Sequence, residues 1–102
     1  MLTVIAKVRA KPGKEQVVEA ELRALVAPTR RETGCLNYDL HVSQTEKGVF
    51  LFYENWTSRE ALDAHARSPH MNAWRVRQPE LLAHAVELGL FEMLTEAPWL
   101  KQ

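Results

Sequence analysis

Only one cysteine, Cys35, occurs in the 102 residues, so no disulfide can close within the chain, and the composition suits a reducing compartment. A cytoplasmic location is expected. Cys35 is a weak nucleophile candidate, because nothing in its sequence neighbourhood would lower the thiol pKa, and it reads as structural. An excess of one charge is also missing: thirteen Lys and Arg balance thirteen Asp and Glu. That balance argues against a nucleic-acid or anionic-membrane surface, which needs cations gathered on one face. The adjacent Arg30 and Arg31 read as a solvated helix end, where cations suit the helix dipole. Long hydrophobic runs are absent too. The opening "MLTVIAKVRAKPG" is too short an apolar run for a signal peptide or membrane span. Phosphate loops, GxGxxG, HExxH, GxSxG and CxxC are all lacking, which counts against nucleotide use, zinc hydrolysis and serine hydrolysis. The four histidines, His41, His65, His70 and His84, fall in different elements with no i, i+4 pair, so no metal site is expected.

What is present is an ordinary globular inventory, 46% hydrophobic and 25% charged. The length makes one small domain over residues 1–102, with little core to spare. Leu2 to Arg9 alternates Val4, Ile5 and Val8 with other residues and stops at "KPG", a strand followed by a turn. From Lys14 to about Thr33, Val18, Leu22, Leu25, Val26 and Thr29 recur at helical spacing, and Glu19 with Arg23 forms an outward pair. Pro28 reads as a kink and Gly34 as the terminator. "CLNYDLHVS" alternates, with Tyr38, Leu40 and Val42 on one face and Asn37, Asp39 and His41 on the other.

After the turn "TEKG", the strand "VFLFYENW" is apolar on both faces, so both sides require cover. Thr57 and Glu60 form a T-x-x-E capping box that starts a helix from Ser58 to about Arg67. Pro69 suits the first turn of another short helix, a further turn is expected around Glu80 to His84, and "AVELGLFEML" reads as the last strand. The order is β-α-β-β-α-β, an α+β, ferredoxin-like split βαβ arrangement with a four-stranded antiparallel sheet and helices on one face. The other face then carries an apolar patch, and the simplest cover is a homodimer with its sheets facing. The tail, about 95–102, with Trp99 and Leu100, is expected to pack on that partner.

His65 is the side chain that stands out. Taking Leu62 as the centre of the second helix's inward stripe, His65 lies about 60° to one side at ~100° per residue, so it points at the sheet. Its small neighbours Ala61 and Ala66 leave room where a packed core would hold Leu or Ile. The residue is therefore either a working base in a pocket or a core histidine bonded to a backbone carbonyl. Strand parity decides what faces it. If the Gln44–Gly48 turn pairs Leu40 with Phe52 through a three-residue loop, Tyr38 lies opposite Glu54 and Trp56 continues that face. Tyr38, Phe52, Glu54, Trp56 and His65 then enclose one cavity. A loop of two or four residues would substitute Tyr53 and Asn55, because a one-residue slip reverses faces. From the residues alone, Phe50 and Phe52 read as core, and Asn55, His70 and His41 as surface or capping residues.

With "MLTVIAKVRAKPG", "ETGCLNYDL", "ENW" and "EALDAHARSPHM" in this order and spacing, the sequence resembles the antibiotic biosynthesis monooxygenase family, particularly its small quinol monooxygenase-like branch, over nearly its whole length. The resemblance implies a dimeric α+β barrel that oxidises a quinol or related electron-rich aromatic with O2 and needs no cofactor. A deprotonated hydroquinone can pass an electron directly to O2, so the protein need supply only a base, a polar anchor and a dry pocket. The set it implies is His65, Trp56 and Asn55 for catalysis and Tyr38, Phe52, Glu54 and His70 for substrate, with no metal. The resemblance does not extend to haem degradation, whose enzymes carry an asparagine on the first strand, absent from Leu2 to Arg9. The motifs above do not place the arginine of the polyketide-oxidising members, for which Arg75 is the candidate. Two other functions remain open: a small-molecule isomerase of the same fold, and a non-catalytic dimeric ligand-binding module.

Overall fold

The structure, a computed structural model, describes residues 1–98, and the packing expected of Trp99 and Leu100 falls outside the described residues. In chain order the elements are β1 (Leu2–Arg9), α1 (Glu15–Arg30), β2 (Cys35–Val42), β3 (Val49–Trp56), α2 (Arg59–Ala66), α3 (Pro69–Leu81) and β4 (Glu87–Phe91). The strands form one antiparallel sheet in the order β2-β3-β1-β4, the ferredoxin-like arrangement expected. Among the described residues no helix is long and apolar enough to cross a membrane.

Register follows the side-chain alternation. Leu40 pairs with Phe52 and Tyr38 with Glu54, as the first of the two parity readings requires. The loop is longer than expected, however. Ser43 N–H donates to the Val49 carbonyl at 2.9 Å, so the free connection runs from Gln44 to Gly48. Its five residues (44–48) have the parity of three, which is why the faces come out unchanged. On the helix-facing side β1 contributes Val4, Ala6 and Val8, and β3 contributes Phe50, Phe52 and Trp56. They pack against Val18, Leu22 and Leu25 of α1 and Trp74 and Leu81 of α3. α2 differs: its only buried side chain is His65.

Three helix boundaries depart from expectation. α1 ends at Arg30 rather than near Thr33, because Glu32 N–H turns back to the Thr29 carbonyl at 3.0 Å and Gly34 takes a left-handed φ of 86°. α2 is capped by Ser58, whose hydroxyl accepts from Ala61 N–H at 3.1 Å, and not by Thr57. Thr57 N–H instead donates to the Gly34 carbonyl at 2.9 Å and is still occupied at the strand end. α3 is one continuous helix of thirteen residues, where two short turns were expected. Ser68 caps it with Pro69 in its first turn, and Pro79 sits near its end, where few N–H groups remain to be interrupted.

Gly34 locks the α1–β2 turn against α2. A Cβ at this position would lie 2.5 Å from the Cβ of Ala61 and 2.7 Å from the Thr57 hydroxyl, on top of the cost of a left-handed backbone. Gly34→Ala is expected to lower the unfolding free energy by about 2 kcal/mol or more in urea titrations. Adding Ala61→Gly should recover only the part of that loss owed to the Ala61 Cβ, leaving the Thr57 contact and the left-handed backbone.

Candidate active site

Alternation along the end of β3 sorts its three polar and aromatic residues. Glu54 and Trp56 face the helices, and Asn55 faces away. A carboxylate pointing into a core is costly unless bonded, and here the Trp56 indole N–H donates to Glu54 Oε1 at 2.9 Å, with both residues buried. Burial pushes the Glu54 carboxyl up to about 7, against the pull of the indole hydrogen bond and with a push from the Glu32 charge. Across the strand pair, Tyr38 stacks on Phe52 with ring centroids 4.4 Å apart. Burial raises the Tyr38 phenol far above its ordinary value, so it stays protonated.

The His65 ring lies 4.8 Å from Trp56 and 5.5 Å from Tyr38, between centroids. Its Nδ1–H donates to Glu32 Oε2 at 2.7 Å, which leaves the lone pair on Nε2. Glu32 sits in the turn between α1 and β2 and also receives His70 Nε2 at 3.0 Å. His70 is held in turn by the Thr29 hydroxyl at 3.1 Å. Burial lowers the His65 pKa below the usual histidine value, partly offset by the Glu32 hydrogen bond and charge, while His70 and Arg75 push it lower. The imidazole is therefore neutral at pH 7. Cys35 lies nearby, but burial and the Glu32 and Glu54 charges push its thiol up to about 11, in keeping with a structural role.

Beside these groups a cavity of about 330 Å³ lies between the sheet and α2 and α3. Tyr38, Phe52, Glu54 and His65 line it, together with Leu62, Met71 and Trp74. At the rim Arg59 pairs with Asp63 at 3.1 Å, and Arg75 is tied to Asn72 and the Ala66 carbonyl, each at 2.7 Å. The cavity is open along β4, where the wall residues Leu88 and Leu90 remain 62% and 42% exposed.

Four of the seven residues expected at the site thus share one cavity. Trp56 is fully buried behind the wall, which it meets through its hydrogen bond to Glu54 and its contact with the His65 ring. Asn55 lies on the opposite sheet face, accepting from the Thr3 hydroxyl at 2.5 Å and donating to Asn37 Oδ1 at 2.8 Å, because β3 parity turns it away from His65. His70 meets Glu32 and lies outside the cavity wall. Glu32 was missed altogether. The helix was expected to run past it, and no periodicity marks a carboxylate in a turn as a partner for a histidine 33 residues away. The only signal available was its place in the "ETG" segment of the resemblance.

The fold and this pocket define a small ferredoxin-like α+β protein with a neutral histidine and a protonatable carboxyl facing an apolar cavity. The antibiotic biosynthesis monooxygenase family model matches residues 1–77, and the chain belongs to that family. Rv0793 of Mycobacterium tuberculosis is 38% identical over 96 residues, spanning 94% of both chains. Its solved structure superposes with a TM-score of 0.88, covering 94% of this chain and 97% of that one. YgiN of Escherichia coli, described as a probable quinol monooxygenase, is 33% identical over 84 residues, covering 72% of this chain and 81% of its own. Protein sll1783 of Synechocystis is 32% identical over 92 residues, and the match spans 90% of this chain but only 63% of that protein's length.

The raised Glu54 pKa has a stability consequence. Between the ordinary carboxyl value of 4.5 and about 7 the folded state holds a proton that the unfolded chain releases, so stability falls as pH rises through that window and is level above it. The full loss is about 3 kcal/mol. His65, with a lowered pKa, acts with the opposite sign: its contribution is lost as pH falls below 6.5. Comparing wild type with Glu54→Gln isolates the carboxyl. In denaturant titrations from pH 5 to 8 the wild type should lose stability relative to the variant as pH rises.

Proposed function

We propose that this protein is a cofactor-independent monooxygenase that oxidises a quinol or related electron-rich aromatic with O2. The observation that carries the reading is the neutral His65, held at Nδ1 by Glu32, in the wall of an apolar cavity that also presents Glu54. The name of YgiN supports the quinol class.

In this reading His65 Nε2 takes the proton from one phenolic hydroxyl, and Glu32 stabilises the imidazolium that results. The phenolate passes one electron to O2, and the radical pair combines at the adjacent ring carbon to give a hydroperoxide. That carbon then loses its proton as the O–O bond breaks, leaving a carbonyl and water. Quinol and O2 thus become hydroxyquinone and water, and the substrate supplies all the electrons. Glu54, protonated below about 7, donates a hydrogen bond to the substrate oxygen, with Tyr38 as a second neutral donor. The stacked Phe52 and Tyr38 rings form a flat wall for an aromatic substrate. Glu32 is a positioning residue, and Trp56 positions Glu54.

Oxygen uptake with a panel of hydroquinones tests the reading. Turnover should be bell-shaped in pH, falling on the acid side below 6.5 as His65 is protonated and on the alkaline side near 7 as Glu54 ionises. Glu54→Gln should remove the alkaline limb. His65→Ala should reduce turnover by about 100-fold or more. Turnover indifferent to His65→Ala removes the base. Product formed without O2 consumption points to an isomerase, and ligand-induced stabilisation without any product to a binding module.

The same reading includes a homodimer formed through the sheet face that carries no helix. Ile5, Leu51 and Tyr53 lie half-buried there. Phe91, 54% exposed, lays its ring over Gly89, whose absent Cβ would stand 2.6 Å from it. Such an apolar strip is what a second sheet would cover. Sedimentation equilibrium at micromolar concentration should give the mass of two chains, and a monomer there would refute the dimer.

A further inference from the structure

We propose that Glu32, His65 and His70 together form a binding site for one divalent ion of the zinc type, and that filling it switches off His65 as a base. Helical spacing gave no reason to expect such a site. The fold assembles it from two helix ends and a turn: His65 closes α2, His70 opens α3, and Ser68 between them folds back, its hydroxyl donating to the His65 carbonyl at 2.7 Å. The two imidazole rings come within 6.0 Å, and Glu32 enters from the α1–β2 turn.

One ligand atom from each of the three residues lies within 4.8 Å of the other two. Glu32 Oε2 already touches both rings, at 2.7 Å from His65 Nδ1 and 3.0 Å from His70 Nε2. Zinc bonds of about 2.0–2.1 Å would space such atoms slightly wider than these hydrogen bonds, so binding asks for rotation of rings and carboxylate rather than a rebuilt backbone. Two histidines and a glutamate are a donor set that zinc accepts, with water in the fourth place. The Thr29 and Ser68 hydroxyls, 3.1 Å and 3.3 Å from His70 Nε2, stand ready to bond that water. Side-chain exposure rises outward, from 5% at His65 through 17% at Glu32 to 21% at His70, so an ion can enter from solvent without crossing the cavity. The Arg75 charge felt at His65 opposes a cation, which with a single carboxylate points to micromolar rather than tighter binding.

The switching half rests on His65 being the base proposed above. A metal on Nδ1 moves the proton of the neutral imidazole to Nε2, with no net proton release. The nitrogen left to act on substrate then carries a hydrogen where it needed a lone pair.

The test uses the full chain freed of metal and titrated with Co²⁺, whose visible absorption reports nitrogen and oxygen ligation. One equivalent should bind, Zn²⁺ should displace it, and both His70→Ala and Glu32→Gln, checked for folding by circular dichroism, should lose the absorption. Free Zn²⁺ at more than about ten times its dissociation constant should lower wild-type hydroquinone turnover at least tenfold and leave the rate of His70→Ala at that variant's own metal-free value. Absence of Co²⁺ binding at micromolar concentration overturns the site. So does binding that survives undiminished in both variants, which would place the ion on exposed histidines such as His41 or His84. Binding without inhibition overturns the switch alone. The absorption needs no turnover, so failure of the monooxygenase reading and failure of the metal site are read separately.

Discussion

The contact between Glu32 and His65 Nδ1 is the constraint on which the site depends. It is a short hydrogen bond between a turn carboxylate and a ring that is otherwise enclosed by Trp56 and Tyr38. Without it the imidazole would have no reason to keep its proton on one nitrogen, and the residue would become an ordinary buried histidine. The bond sets tautomer, ring orientation and the placing of α2 at once. The turn carrying Glu32 is held by Gly34, which admits Ala61 of α2 to within contact distance. A glycine and an alanine chosen for size thus support a hydrogen bond chosen for chemistry.

The second half of the site follows different physics. Glu54 is kept by the Trp56 indole in surroundings that favour its neutral form, while His65 is driven to its neutral form by the same burial. One low-dielectric cavity therefore pushes an acid up and a base down, leaving a proton donor and a proton acceptor in the same wall near neutral pH. That pairing needs no metal or organic group to arise. It comes from placing two titratable side chains where charge is costly and giving each one partner.

How much of this was legible in the sequence depended on range. Strand parity could be read because alternation is local and strict, and it survived an error of two residues in the hairpin loop: Tyr38 still met Glu54. The capping residue was misplaced from Ser58 to Thr57 because the β3 edge extends one bond further, to Gly34, than a local pattern can show. α3 was broken into turns because it buries only Trp74 and Leu81 and so lacks a strong apolar stripe. Asn55 was assigned to the site through the family resemblance and by one of the two open parities, and the Leu40–Phe52 register puts it on the far face. Glu32 was invisible for the opposite reason. Its partner lies 33 residues away, and a hydrogen bond between a turn and a helix end leaves no period in a sequence.

α2 buries one side chain, and that side chain is polar. Its apolar residues Ala61 and Leu62 pack on the core only part-buried, so the deepest fastening of this helix is a directional hydrogen bond, which tolerates less sliding than apolar contact does. Its seat on the sheet is therefore fixed by a bond angle as much as by packing, so whatever turns the ring also shifts the helix.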